Sequence, residues 1–439
     1  MFICERKMKT LKEKYNTIIV GSGAGGATLA KELSYNESDI LVVEAGKDFK
    51  RVGNMYRSLK YYDLKWPLKN CRKSNEGIIV WQAIMAGGST IVSCGNGVSA
   101  LVPELKKMGI DIDQEICETK KELDVAPTNK KLVSKRAILI KEAANRIGYD
   151  MEIMPKFIDY KLCKRCGNCV FGCVYGAKWT AKQYINISKK NGVFFLYSAI
   201  AKKIIIENEK ATGIIVKTLC GDKTILANNI IISAGGLNTP VLLQKSGIVS
   251  AGKNLFIDMF INVYGVSEQK FSVKELPMTL INHQYYKKKG VIISPFVNPS
   301  KLARLHELGL KELFLSHKNI IGLMVKIRDE NLGEVFSNGA FSKKPTDLDM
   351  KKLKFGAHIA SKILCEIGVK SDRIIISKIQ GAHPGGTAAI GNVVDKNFMT
   401  SVNNLYVCDA SIMPVAPGVP PIVTIISLAK KLAKYLKVT

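Results

Sequence analysis

The chain has 439 residues, and its 65 Lys and Arg residues against 37 Asp and Glu residues give a formal net charge of +28. Apolar residues make up 47% of the chain, which supplies a large core and excludes disorder over most of its length. No apolar run reaches about 18 residues, and no apolar stretch follows the charged N-terminus. We therefore expect a cytoplasmic protein without a transmembrane segment or secretory signal.

The positive charge is mostly lysine. Only ten of the basic residues are Arg, the Lys residues are spread along the whole sequence, and there is no basic tail or zinc finger with paired histidines. We therefore do not expect a nucleic-acid partner. The best functional use of this positive charge is to speed the encounter with an acidic electron carrier.

Strands and helices alternate along the sequence. The pattern predicts a strand at 17–20, a helix at 27–33, a strand at 40–43, a helix at 130–147, strands at 193–206, 211–216 and 229–233, apolar strands from about 256 to 345, a helix at 347–367, a strand at 405–407 and a last helix at 422–436. This order fits one α/β domain interrupted by a smaller domain that contains strands.

A glycine-rich turn joins the first strand to the first helix. Gly21, Gly23 and Gly26 are spaced as G-x-G-x-x-G, which permits a tight turn, close approach of a pyrophosphate and packing of the helix on the strand. The phosphates would lie at the helix N-terminus, where unpaired N–H groups favour anions. Glu44 ends the second strand, where a carboxylate accepts hydrogen bonds from a ribose. The pattern predicts a dinucleotide site but does not distinguish FAD from NAD.

Three further segments point to one family. They are MAGGSTIVS at 85–93, GGLNTPVLLQKSGI at 235–248, and QGAHPGGT at 380–387 followed by NLYVCDAS at 404–411. Together with GAKWT at 176–180, they resemble the ordered signatures of the glucose–methanol–choline (GMC) family of FAD oxidoreductases. The resemblance spans residues 15 to 437 apart from a short substrate region, and it implies that the dinucleotide is FAD.

The resemblance also implies a fold and cofactor contacts. We expect an α/β fold with a Rossmann-like FAD-binding domain at 15–255 that contains a Cys-rich segment at 160–182, a smaller α+β substrate-binding domain at 256–375, and a return to the FAD-binding domain at 376–439. The flavin half of FAD is expected against Gly87, Gly88, Ser89, Asp409 and Ala410. Ala201 matches the position whose backbone meets the adenine.

A single histidine lies in a family motif. Of the five histidines, only His383 does so, and the resemblance implies that it takes the proton of a substrate hydroxyl while hydride leaves for the flavin. The family usually places a second His or Asn where this chain has Pro420, which has no side-chain donor. Ser93 stands where the family often has Asn or His, and the nearby Asn96 is a substitute.

Four of the 11 cysteines form a compact run. Cys163, Cys166, Cys169 and Cys173 have the C-x2-C-x2-C-x3-C spacing of bacterial ferredoxins, which predicts a 4Fe-4S cluster. Zinc and redox disulfides without a metal remain alternatives, and Cys71 or Cys94 is an alternative fourth ligand. The other cysteines are expected to be buried bystanders in a reducing compartment.

Flavin and cluster together predict a dehydrogenase. We expect oxidation of the CH–OH group of an alcohol, with electrons leaving through the cluster to a ferredoxin-like or other acidic acceptor. The alternatives are a reductase working in the reverse direction with ferredoxin electrons and a non-catalytic electron-transfer subunit. The aromatic-rich region from 256 to 345 suits a hydrophobic alcohol over a sugar, although its aromatic side chains would equally serve as core.

Overall fold

The structure is a computed structural model that describes residues 11–37, 39–62 and 72–438. In chain order the strands are β1 (Lys14–Val20), β2 (Ile40–Glu44), β3 (Ile79–Val80), β4 (Ala126–Pro127), β5 (Glu152–Ile153), β6 (Pro155–Lys156), β7 (Phe194–Tyr197), β8 (Ile200–Glu207), β9 (Lys210–Thr218), β10 (Gly221–Ile232), β11 (Phe260–Val266), β12 (Leu280–Ile281), β13 (Val291–Pro295), β14 (Ile320–Ile327), β15 (Glu334–Val335), β16 (Phe341–Ser342), β17 (Ile374–Ile376), β18 (Gln380–Gly381) and β19 (Leu405–Val407).

The α-helices are α1 (Ala24–Leu33), α2 (Met55–Ser58), α3 (Val102–Lys107), α4 (Asp113–Glu122), α5 (Lys135–Arg146), α6 (Ala181–Lys190), α7 (Thr239–Lys245), α8 (Tyr286–Lys289), α9 (Lys301–Leu308), α10 (Asp347–Glu366) and α11 (Ile422–Leu436). Within the described ranges, no helix combines the length and the apolarity needed to cross a membrane.

The first sheet is mainly parallel. Its order is β7-β2-β1-β10-β9-β8, and β19 pairs in parallel with the C-terminal end of β10. The central strands are almost wholly buried because helices cover the sheet, and α1 packs against both α6 and α11. The carboxyl ends of β1 and β2 therefore meet at one edge, where the glycine-rich turn begins.

The second sheet has the order β13-β14-β11-β18-β3, with β17 also paired to β11. Helix α10 packs on it, and every residue of β14 is buried. These observations confirm the predicted class of a Rossmann-like α/β fold with a smaller α+β part. The second sheet brings β14 and β18 beside the cavity described below.

One predicted strand is wrong in its extent. The segment 193–206 forms two strands, because Ser198 adopts a left-handed backbone conformation with φ 56° between them. The Ser198 N–H bonds to the carbonyl of Gly46, at 3.0 Å. The chain thus leaves the edge of β2 and crosses to pair with β9.

Candidate active site

A cavity of about 800 Å³ runs from the glycine-rich turn to the second sheet. Most of the residues predicted to bind the cofactor or act on the substrate line it, namely Gly21, Gly23, Glu44, Gly88, Ser89, Ala201, His383, Asp409 and Ala410. Gly26 and Gly87 are not part of its wall. The structure therefore brings the dispersed sequence motifs to one continuous space.

The glycine-rich turn has the geometry that a dinucleotide needs. A Cβ atom on Gly21 would lie 2.2 Å from the Ser233 carbonyl oxygen, and one on Gly26 would lie 2.0 Å from the Gly21 carbonyl oxygen. At Gly23, by contrast, a Cβ would meet no atom within 4 Å. Gly23 caps α1 without a side-chain hydrogen bond, and the first turn carries no acidic residue. The helix N-terminus is thus open to an anion.

Glu44 is buried at the end of β2, where its carboxylate accepts hydrogen bonds from the Ser22 N–H at 2.9 Å, the Ser22 hydroxyl at 2.6 Å and the Gly46 N–H at 2.7 Å. Burial raises the pKa of Glu44. These bonds fix the carboxylate in the wall of the cavity that Ala201 also lines.

Asp409 joins two of the family-like segments. Its carboxylate accepts hydrogen bonds from the Gly235 N–H at 2.7 Å, the Thr239 hydroxyl at 2.6 Å and the Ser411 N–H at 2.7 Å. Asp409 therefore shapes the cavity by holding the segments 235–248 and 404–411 together, and its contact with a sugar-alcohol chain stays a prediction.

The cavity wall also presents a donor that lacks a partner among the described residues. The amide Nε2 of Gln82 is buried, lines the cavity and has no hydrogen-bond partner in the described parts of the chain. Nearby, Gly87 and Gly88 have φ 89° and 53°, and the Gly87 N–H bonds to the Ser22 hydroxyl at 3.1 Å. A cavity with an open helix N-terminus and an unsatisfied buried donor in its wall fits FAD.

His383 is held by a carboxylate that the sequence did not reveal. Its Nδ1 lies 2.8 Å from Oδ2 of Asp258, a fully buried residue, and Oδ1 of Asp258 accepts a hydrogen bond from the Gly418 N–H at 2.7 Å. A carboxylate only accepts hydrogen bonds, so Nδ1 carries the proton and Nε2 is left as the base. Burial raises the pKa of Asp258 to about 7 and holds the pKa of His383 well below its usual value.

Lys326 is the third member of this cluster. It lies in β14, lines the cavity, and places Nζ 3.3 Å from Nδ1 of His383 and 5.6 Å from the ring centre of Phe260. Burial lowers the pKa of Lys326, and the Lys326 charge adds to the lowering of the His383 pKa. The sequence carried a signal for Asp258, which is a lone charge inside an apolar run, but not for Lys326, which is followed closely by the charged residues 328–330.

An apolar chamber adjoins these charges. The chamber is the part of the cavity lined by Phe260, Met278, Phe296, Met324, Trp81, Cys94, Val170 and Ala382, which pack as one cluster. Some aromatic residues of the region 256–345 thus face the cavity, whereas Phe256 and Tyr264 are fully buried core. The side chain of Phe314 lies outside the described part.

Three residues bear on the departures from the family pattern, and all of them line the cavity: Ser93, Asn96 and Pro420. Pro420 and Pro421 line the cavity, and α11 begins directly after them without a side-chain cap. Asn96 also lines it, but its Oδ1 accepts a hydrogen bond from Lys156 at 2.6 Å. The Ser93 hydroxyl bonds to the Thr90 carbonyl at 3.0 Å.

The four-cysteine run surrounds a second, small cavity. All four cysteines of the run line this space of about 20 Å³; Cys169 is buried and the others are partly exposed. Among the described residues, no group of three or more His, Cys, Asp or Glu side chains is arranged to hold a metal ion. The predicted metal site at Cys163, Cys166, Cys169 and Cys173 is therefore not formed by the thiols as they lie.

Two buried lysines lie beside the thiols. Lys156 donates to the Cys94 carbonyl at 3.0 Å and to Asn96, and Lys178 donates to the carbonyls of Ile91, Ser93 and Cys169 at 2.8, 2.5 and 3.1 Å. Neither lysine forms an ion pair with any residue that the structure describes, within 4.0 Å. Val170 and Phe171, directly after Cys169, line the large cavity, so the run lies next to it.

The remaining cysteines only partly follow expectation. Cys408 is buried, whereas Cys117 and Cys365 are exposed. Cys220 is disulfide-bonded, which corrects the expectation that it is a free bystander. Cys4 and Cys71 lie outside the described residues.

Comparison with known proteins assigns the family. Family models of GMC oxidoreductases match residues 15–260 and 365–429, and the chain therefore belongs to the GMC oxidoreductase family, whose cofactor is FAD. Among similar proteins, the uncharacterized protein MJ1450 of Methanocaldococcus jannaschii is 34% identical over 96% of this chain and 100% of its own length.

More distant relatives have described activities. Long-chain-alcohol oxidase FAO3 of Arabidopsis thaliana is 22% identical over 97% of this chain and 68% of its own length. Among solved structures, pyridoxine 4-oxidase from Mesorbium loti shares the fold, with a TM-score of 0.76 at 15% identity over 97% of this chain and 99% of its own. A formate oxidase variant of Aspergillus oryzae RIB40 reaches 0.73 at 14% identity over 98% and 99%.

Proposed function

We propose that the protein oxidises the CH–OH group of an apolar alcohol to a carbonyl, with His383 as the base. The observation that carries this proposal is the His383–Asp258 pair, at 2.8 Å, in the wall of a cavity that joins the cofactor motifs to an apolar chamber. FAD, when bound, supplies the acceptor for the hydride that leaves the carbinol carbon. The hydroxyl proton moves to Nε2 of His383, and the Asp258 carboxylate stabilises the imidazolium that results.

Other parts of the chain support the same chemistry. Helix α11 starts at the cavity after Pro421, and its N-terminal dipole favours negative charge that develops there. The chamber offers Phe260, Phe296 and Met324 to the substrate, which favours an apolar chain or ring over a sugar. The similarity to long-chain-alcohol oxidases is consistent with this substrate class.

The test is anaerobic reduction of the bound flavin. We expect 1-octanol and benzyl alcohol to bleach the flavin absorbance in stopped flow, and sorbitol to leave it unchanged. His383→Ala should lower the rate constant of flavin reduction by about 10³-fold, the usual worth of a general base. His358→Ala is the control, because His358 is exposed on α10. Failure of both alcohols to reduce the flavin, or equal rates in the two variants, would contradict the proposal.

A second proposal concerns the electron acceptor. We propose that the four-cysteine run is the site of a 4Fe-4S cluster, and that the physiological acceptor is a ferredoxin-like or other acidic carrier. Two observations support this proposal. They are the spacing of the run and the two buried lysines beside the thiols, which form no ion pair with a carboxylate among the described residues. The thiols as placed do not hold a cluster, so we assign no electron path through it.

The surface around the run suits an acidic carrier. The apolar side chains of Leu162, Val174 and Tyr175 are exposed there, and Lys164 and Arg165 are exposed between the cysteines. Such a patch combines apolar contact with positive charge, which attracts an acidic partner and speeds its encounter.

Metal content decides this second proposal. After anaerobic reconstitution we expect about four iron and four sulfide per chain, lost in Cys169→Ser and retained in Cys117→Ser. Zinc measured on the same samples distinguishes a tetrahedral thiolate site. Absence of both iron and sulfide from a protein that retains its flavin would exclude the cluster without affecting the proposed alcohol oxidation.

A further inference from the structure

We infer that Glu307 and Gln380 form a second polar site for the substrate, which binds a hydroxyl group at the end of the molecule remote from the reacting carbinol. The preferred substrate is then an apolar alcohol with a second, terminal hydroxyl, that is, an α,ω-diol. The inference rests on the proposed alcohol oxidation and narrows its substrate class.

Glu307, near the end of α9, places a buried carboxylate in the cavity wall. It accepts hydrogen bonds from the Tyr264 hydroxyl at 2.7 Å and from the side-chain amides of Asn298 at 2.8 Å and Asn262 at 3.3 Å. Glu307 forms no ion pair within 4.0 Å in the described ranges. A carboxylate has about four lone-pair sites, so these bonds leave capacity for one more donor.

Gln380 presents a donor next to this carboxylate. Its Oε1 accepts a hydrogen bond from the Trp81 Nε1–H at 2.7 Å, which fixes the orientation of the amide. Its Nε2 is buried without a hydrogen-bond partner among the residues that the structure describes, and Gln380 lines the cavity. Burial raises the pKa of Glu307, and Gln380 lies close enough to oppose that rise. A buried donor without a partner is costly unless a ligand oxygen meets it.

A hydroxyl group matches this pair better than other polar groups do. It both donates and accepts, so one hydroxyl satisfies the Glu307 carboxylate and the Gln380 amide together. An ammonium group only donates and leaves the Gln380 N–H unpaired. A carboxylate only accepts and meets the like charge of Glu307. The pair therefore selects a hydroxyl.

The second sheet separates this pair from the base by the width of the apolar chamber. Phe260 in β11 pairs with Lys326 of β14 on one side and with Gln380 of β18 on the other. Neighbouring strands lie about 4.8 Å apart, so roughly 10 Å separates the strand positions of Lys326 and Gln380. Because Nζ of Lys326 lies 3.3 Å from Nδ1 of His383, the base is at one end of this row, and Phe260 lies between the base and the polar pair. An extended 1,6-hexanediol has a comparable length.

The experiment measures anaerobic flavin reduction of the FAD-loaded protein in stopped flow with 1-hexanol, 1,6-hexanediol and 6-amino-1-hexanol. These probes share the reacting end and the carbon chain and differ only in the remote group. We expect the ratio of the limiting rate constant to Kd to be about 10²-fold higher for the diol than for 1-hexanol, because the mono-alcohol leaves the polar pair without its bonds. The amino alcohol should rank below the diol.

The outcomes separate the inference from the proposed function. Equal ratios for 1,6-hexanediol and 1-hexanol, or a higher ratio for the amino alcohol than for the diol, overturn the inference and leave the alcohol oxidation intact. If none of the three probes reduces the flavin, the alcohol oxidation fails and the inference fails with it.

Substitution of Glu307 tests whether this residue carries the preference. Glu307→Gln keeps the size of the side chain and replaces an acceptor with a donor, so the preference for the diol over 1-hexanol should fall to within about threefold of unity. Glu115→Gln is the matched control, because Glu115 is buried in α4 and pairs with Lys434 at 2.8 Å without lining the cavity. A full diol preference in flavin-loaded Glu307→Gln contradicts the role of Glu307. If that variant loses its flavin, the comparison of the three probes in the unsubstituted protein still decides.

Discussion

The two charged regions beside the large cavity differ in how their charges are compensated. In the first, which we term the base cluster (Asp258, Lys326 and His383), a buried carboxylate and a buried ammonium both approach one imidazole, at 2.8 and 3.3 Å. In the second, which we term the thiol region (Lys156, Lys178 and the four-cysteine run), the buried ammonium groups have only carbonyl and amide oxygen partners in the part of the chain that the structure describes.

The difference shows which region is complete in the protein alone. Opposite charges in the base cluster offset each other, so its geometry is set before any ligand binds. The thiol region buries positive charge without a counter-charge, and its thiols become anions only when a metal or base takes their protons. The first region is therefore ready for chemistry, whereas the second needs an additional group.

The largest expected effect tests the completeness of the base cluster. Asp258→Asn should lower the rate constant of flavin reduction by about 10²–10³-fold, because the amide neither fixes the Nδ1 proton nor compensates the imidazolium. The measurement is stopped-flow reduction with 1-octanol. Asp372→Asn, at an exposed position, should have the parent rate. An Asp258→Asn rate close to the parent would show that Asp258 serves only to anchor the Gly418 loop.

The next effect is on pH dependence. The pKa of Asp258 is raised to about 7 by burial, and the pair is active only when Asp258 is ionised and Nε2 of His383 is free. One proton taken up by the pair abolishes this state, so the rate constant should fall about tenfold per pH unit below 7 and level off above it.

Substitution of Lys326 tests the direction in which this pH dependence shifts. Its charge lowers the pKa of Asp258 and of His383, so Lys326→Met should move the acidic limb to higher pH. A profile that stays level from pH 8 down to about pH 5 would contradict coupling within the base cluster.

The sequence predicted much of the cofactor region and little of the base cluster. The glycine spacing, Glu44 and His383 are local patterns whose meaning depends on their immediate neighbours, and the structure places all of them in or beside one cavity. Asp258 and Lys326 meet His383 only because β14 and β18 both border β11 in the second sheet. No local pattern encodes that pairing.

The four-cysteine run is the opposite case, because here the sequence predicted a site that the thiols as placed do not form. Its spacing predicts a cluster, but spacing does not specify how the loop folds around the thiols, and they enclose only about 20 Å³. The two lysines that give this region its charge lie close to the run in sequence, with Lys156 in β6 before it and Lys178 shortly after it, but nothing local marks them as buried. Their burial could be learned only from the tertiary structure.

The smallest expected effect tests the thiol region through stability. Lys156→Gln removes a buried charge while its amide can still donate to Asn96, so the metal-free protein should be unchanged or more stable by about 1 kcal/mol. Lys343→Gln is the matched contrast, because Lys343 and its partner Asp329, at 3.0 Å, are both fully buried. Loss of that lysine leaves the Asp329 carboxylate with the backbone N–H groups of Ile257 and Met259 but without a counter-charge, and should cost about 3–5 kcal/mol. Both are measured by urea unfolding. If Lys156→Gln costs as much as Lys343→Gln, the charge of Lys156 is already compensated in the protein, and the thiol region does not need an anionic occupant.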